Sequence, residues 1–197
     1  MLQQTLLTQL AAVYDFKKAN QIAKLPQTSP FVRAWMALDL SQPLADSVHA
    51  SSIDFAAQYQ QGEEHFKYNT KSSLVESCEK RLASKADLKL ITAKKNIWIE
   101  FHMLHENDLP IKKERDKLYA DAKRVNALRQ ALPQDDVILL IGLWGSVSNA
   151  DMHYFQPLDN NSQCTYVIDS SLSGSTQIAR LSQMKKTADK RFLLAAF

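Results

Sequence analysis

Asp87-Leu-Lys-Leu-Ile91, followed after four residues by Asn96-Ile-Trp-Ile-Glu-Phe-His-Met-Leu104, is the stretch that decides the fold. Both runs are rich in β-branched and aromatic residues, and a lysine-rich turn, 92–95, separates them, so the pair reads as a β-hairpin. The second run alternates. Ile97, Ile99, Phe101 and Met103 share one face, while Trp98, Glu100, His102 and Leu104 share the other. Glu100 and His102 therefore leave the same side of one strand, with Cα atoms roughly 6–7 Å apart at strand rise. A carboxylate and an imidazole at that distance suit joint binding of a cation, or the placing of a water beside it. Asp87 opens the neighbouring strand, from which its carboxylate approaches Glu100 across the pair. Two converging carboxylates are what a hard divalent ion such as Mg²⁺ takes from a protein, with water and substrate phosphate filling the other positions.

Downstream, a loop over 105–111 leads to a helix over 112–132, with Leu118, Ala122, Val125, Leu128 and Leu132 as its apolar positions and Pro133 closing it. Asp136-Val-Ile-Leu-Leu-Ile-Gly-Leu-Trp144 is a continuous apolar run, the pattern of a central strand covered on both faces. Beyond it the pattern predicts a strand over 164–168, a helix over 175–186 and a final strand or docked tail over 192–197. Upstream, 72–85 opens with two serines suited to capping and puts Leu74, Val75, Cys78 and Leu82 on one face, which predicts a helix. The first third reads as three helices, over 2–24, 31–40 and 44–61; Pro26 and Pro30 stop the first, and the third takes Val48, Ile53, Phe55 and Tyr59 as its apolar positions, ending at Gly62. The expected fold is α/β: a mixed β-sheet flanked by helices, preceded by an N-terminal helical part. The expected division is a helical region over 1–61 and an α/β domain over 62–197.

Composition narrows the classes further. The 197 residues are 45% hydrophobic and 23% charged with only four glycines and six prolines, which excludes a disordered, collagen-like or linker-dominated chain. A formal charge of +3 falls short of the excess that by itself marks a nucleic-acid binder. Fifteen of the twenty-four Lys and Arg lie within 62–132, so a site is sought there first. Two cysteines, Cys78 and Cys164, cannot build a disulfide framework or a four-ligand zinc site. No apolar run reaches the ~20 residues of a membrane span, and the first residues lack a basic leader, so a cytoplasmic protein is expected.

With these elements in order, the chain resembles the core of the PD-(D/E)XK, restriction-endonuclease-like, nuclease superfamily over about residues 70–145. The matching residues are Ala86-Asp87 for the leading dipeptide, Glu100-Phe101-His102 for the acid-x-lysine element, and Glu76 or Glu79 for a helix acid. The resemblance implies a restriction-endonuclease-like core with Asp87, Glu100 and a helix carboxylate as ligands of Mg²⁺ or Mn²⁺, and hydrolysis of phosphodiester bonds in DNA or RNA. Two positions depart from the family pattern. Ala86 replaces the usual proline, and His102 stands where the family places a lysine that orients the attacking water and offsets charge on phosphate. An imidazole in that role makes any activity sensitive to pH near its unperturbed pKa of about 6.5.

The helix over 112–132 adds a second feature. Lys113, Lys117, Asp121 and Arg124 recur at three- and four-residue spacing and form a mixed-charge stripe. Lys117 and Arg124, with Lys95 of the hairpin turn, are the candidate phosphate contacts, giving affinity that is salt-dependent and indifferent to sequence. Three classes stay open: a metal-dependent endonuclease with His102 in the lysine place; a catalytically inactive nuclease-fold protein that binds nucleic acid, or a protein partner through its N-terminal helices; and an unrelated small α/β adaptor.

Overall fold

A computed structural model describes residues 2–25, 31–61, 64–68, 75–77, 85–146, 151, 153–159, 166–169, 180–181 and 190–197. Two helices, α1 (Leu2–Val13) and α2 (Phe16–Ala23), stand where one is expected. Asp15 interrupts them because its carboxylate caps the second, accepting from the Lys18 N–H at 3.0 Å. Helix α3 (Val32–Val48) runs past Pro43 and ends on His49, whose left-handed backbone (φ 54°) turns the chain out.

The expected helix over 44–61 is corrected at this turn. Its first residues belong to α3, and the rest supply β1 (Ser52–Phe55) and β2 (Gln60–Gln61). Ile53 and Phe55, two apart, carry a strand period that was read as part of a helical one. Of the helix expected over 72–85, residues 75–77 are strand instead, while 72–74 and 78–84 lie outside the described residues. β3 (Glu64–Tyr68) pairs antiparallel with β4 (Val75–Ser77), and β2, β3 and β4 form a small three-stranded sheet. Over 75–77 cross-strand pairing with β3 prevails over helix formation.

The hairpin forms as its alternation predicts. β5 (Leu88–Ile91) and β6 (Asn96–His105) are antiparallel, with Leu88 opposite Ile99 and Ile91 opposite Asn96. Thr92 closes the turn, its hydroxyl donating to the Lys95 carbonyl at 2.7 Å. A short 3₁₀ turn, Glu106–Asp108, leads to α4 (Lys112–Ala131), which carries the chain over the sheet to β7 (Asp136–Gly145), parallel to β6. β8 (Tyr166–Asp169) and β9 (Arg191–Ala196) complete a six-stranded mixed sheet in the order β1-β5-β6-β7-β9-β8. Apart from residues 180 and 181, the helix expected over 175–186 lies outside the described residues.

Each face of this sheet has its own core. Leu88, Leu90, Ile97, Ile99, Phe101, Ile138 and Leu140 meet α1, α2 and α3. Trp98, Leu104, Val137, Leu139, Ile141 and Leu143 meet α4, with Tyr59 closing one side. The helices of the first third thus share one core with the sheet, and β1 is one of the sheet's two edge strands, β8 the other. β7 alternates between the two cores, which is why its sequence is apolar at nearly every position.

Candidate functional site

Asp87 lies just before β5, one residue ahead of the Leu88–Ile99 pair. Glu100 and His102 both meet α4, through Arg124 and Asp121, whereas Asp87 is bonded to Arg33 of α3 and to the backbone of Phe101, between them. Glu100 is wholly buried. The Tyr59 hydroxyl donates to its Oε1 at 2.7 Å, and Arg124 of α4 pairs with its Oε2. The His102 Nδ1 lies 2.7 Å from Oδ2 of Asp121, whose other oxygen is 3.3 Å from Arg124. Asp87 is held from two sides. Arg33, in the first turn of α3, makes a two-pronged contact (Nε to Oδ1 3.0 Å, Nη2 to Oδ2 2.9 Å), and the Phe101 N–H donates to Oδ2 at 2.7 Å.

The site is a mixed-charge cluster of Asp87, Glu100 and Asp121 with Arg33, Arg124 and His102. Burial pushes the Glu100 carboxyl above its ordinary range; Arg124 and the Tyr59 hydroxyl pull it back only in part. Burial acts upward on Asp121 too, but there the His102 hydrogen bond and the charges of Arg124, His102 and Arg33 prevail, so its carboxyl is held below the usual range. Tyr59, buried against Glu100, is pushed well above an ordinary phenol and stays a donor. Burial works against the charge on Arg124, but Glu100 and Asp121 outweigh it and keep the guanidinium charged. Behind the cluster, Tyr59 packs against Trp98 with ring centroids 4.9 Å apart, and the Trp98 N–H donates to Asp135 at 2.8 Å.

The other nominated residues are placed differently. Glu76 lies in β4 and not on a helix, so it cannot be the helix acid; Glu79 lies outside the described residues. Arg124 points into the cluster as the partner of Glu100 and is not an outward phosphate contact. Lys117 pairs with Glu114 at 2.6 Å on the exposed part of α4, and Lys95 pairs with Asp136 beside the hairpin turn. Sequence reasoning missed Arg33 and Tyr59. No local pattern links residue 33 to residue 87, and Tyr59 was assigned to a helix that does not form. Asp121 had a usable signal: it lies three residues before Arg124, on the same face of α4.

A divalent ion fits poorly among these side chains. It would need carboxylate oxygens turned toward a common point. Both oxygens of Asp87 are engaged by Arg33, one of them also by Phe101, and the oxygens of Glu100 are engaged by Tyr59 and Arg124. Among the described residues, no three His, Cys, Asp or Glu side chains form a group suited to holding a metal. No helix among them is long and apolar enough to cross a membrane.

Compared with known proteins, the chain matches no protein-family model, no curated protein and no solved structure.

Proposed function

We propose that this chain has a nuclease-like core that binds nucleic acid and does not itself carry out metal-dependent cleavage. One observation carries the reading. Arg33 and Arg124 occupy oxygens of Asp87 and Glu100, the two carboxylates that the nuclease resemblance makes metal ligands. The order of elements also supports it: an Asp leads a strand, an acid and a basic residue lie two apart on its partner, and a long helix and an apolar strand follow. Lys112, Lys113, Lys117 and Lys123 are exposed along α4 and suit a phosphate backbone.

The test is binding of labelled DNA and RNA, single- and double-stranded, read by fluorescence anisotropy as salt is raised from about 50 to 200 mM. Binding should weaken steeply with salt, weaken in Lys113→Ala/Lys117→Ala, and survive Glu100→Gln. Absence of binding to every nucleic acid at the lower salt would overturn the reading.

A second reading, a metal-dependent endonuclease with His102 in the lysine place, draws on the same three residues, Asp87, Glu100 and His102. It requires Mg²⁺ or Mn²⁺ to displace both guanidinium groups. Cleavage with either metal that disappears in Glu100→Ala would establish it over the first.

A further inference from the structure

Carboxylates held near one another repel, and a neighbouring cation relieves the repulsion. Asp87 is tied by the Phe101 N–H to the residue next to Glu100, and the Arg33 guanidinium acts on both carboxylates. In a metal site the cation would be a divalent ion. Here the nearest positive charge to Asp87 is the Arg33 guanidinium, brought from α3 across 54 positions of sequence. Arg33 grips Asp87 with a planar fork, the arrangement in which a guanidinium is most selective for a carboxylate. Glu100 and Asp121 also lie within its electrostatic reach, so one guanidinium serves three carboxylates. Half of its side chain remains exposed, at 46%, so it covers the cluster from the solvent side and is not locked inside it.

We infer that Arg33 is a built-in replacement for a divalent cation: it supplies the positive charge beside Asp87 and Glu100 and keeps a metal ion from binding there. The inference rests on the nuclease-like reading of the cluster, but not on nucleic-acid binding. Arg124 satisfies Glu100 from the other side and cannot take over Asp87, to which it makes no bond in the structure. Removing Arg33 therefore leaves Asp87, among the described residues, with the Phe101 N–H and opens its carboxylate toward added cations.

The experiment measures thermal unfolding of the full chain with EDTA, Mg²⁺ or Mn²⁺, together with Mn²⁺ binding by calorimetry. A ligand that binds only the folded state raises the midpoint in proportion to the logarithm of its excess over Kd. Wild type should show the same midpoint in EDTA and Mn²⁺. Arg33→Ala should melt lower in EDTA, regain part of that loss in Mn²⁺, and show a calorimetric site that Arg33→Ala/Asp87→Asn lacks. Arg33→Lys, which keeps the charge, should stay indifferent to metal. A Mn²⁺-dependent rise in wild type that Asp87→Asn abolishes would overturn the inference, and so would an Arg33→Ala protein that folds and takes up no Mn²⁺. If Arg33→Ala does not fold, Arg33→Gln removes the same charge with a longer polar stem and is judged by the same criteria. A chain that binds no nucleic acid but meets these expectations overturns the proposed function alone.

Discussion

The Tyr59 hydroxyl donates to Glu100 Oε1 at 2.7 Å, joining the loop after β1 to the middle of β6. Both groups are fully buried, so neither can turn to water when the other is lost. Tyr59→Phe keeps the ring packed on Trp98 and removes only the donor. It should lower stability by about 1–3 kcal/mol, the cost of leaving a buried acceptor one bond short. Urea unfolding followed by tryptophan fluorescence measures it; a loss below a few tenths of a kcal/mol would show that the bond contributes nothing.

Glu100 and Arg124 form an ion pair with one end wholly buried and the other 23% exposed. Arg124→Met strands the carboxylate and should cost roughly 3 kcal/mol, whereas Glu100→Gln/Arg124→Met removes both charges and should recover at least half of that loss. A double-mutant cycle in urea gives the coupling directly. Simple additivity of the two single changes would contradict the pairing.

Asp121 carries the pH dependence of the cluster. Its folded carboxyl lies below the ordinary range, so it contributes stability above its unfolded pKa of about 3.9, and this is lost as pH falls through the lower folded value. Glu100 runs the other way, because its folded carboxyl lies above its ordinary range; its contribution is favourable in acid and is lost as pH rises through the folded value. Asp121→Asn should therefore differ most from wild type near neutrality and converge with it as pH falls below about 4. Urea midpoints at a series of pH values decide the matter; an equal deficit at pH 3 and pH 7 would remove the charge from the explanation.

Two glycines of β7 should respond differently to alanine. At Gly145 the backbone has φ +138°, and an added Cβ would meet Glu106 Cβ at 2.4 Å. Glu106 is itself fixed by the Ser146 N–H at 2.7 Å and by Lys190, so it has little freedom to retreat. At Gly142 the obstacle is the sulfur of Met103, a side chain that can swing away. Gly145→Ala should cost about 1–3 kcal/mol, more than Gly142→Ala, as measured by thermal unfolding.

The sheet and the core of the site were legible where one signal dominated. Alternation over 97–104 set the faces of β6, and the unbroken apolar run marked β7 as central. Helix α4 follows its apolar spacing to within a residue of its expected end. Reading failed where short segments carried two signals. Ile53, Phe55 and Tyr59 fitted a helical stripe loosely, and only the left-handed turn at His49 and the pairing with β5 make that segment extended. The chemistry of the site was half legible for a related reason. A strand shows which of its own residues share a face, so Glu100 and His102 were visible together; it says nothing of a guanidinium arriving from a helix 54 residues earlier.

The four-residue turn between β5 and β6 is accordingly more than a connection. Because β6 sends alternate residues to the α3 and α4 sides, with its charged groups confined to the α4 side, lengthening that turn by one residue and sliding the strand to match would bring Ile99 and Phe101 under α4 and drive Glu100 and His102 into the apolar layer beneath α3. Insertions and deletions between residues 91 and 96 should therefore be as damaging as losing a carboxylate outright, although Thr92 bonds within the turn and Lys95 pairs with Asp136, neither of them part of the cluster. In a selection from random length variants, this surface loop should behave like buried sequence.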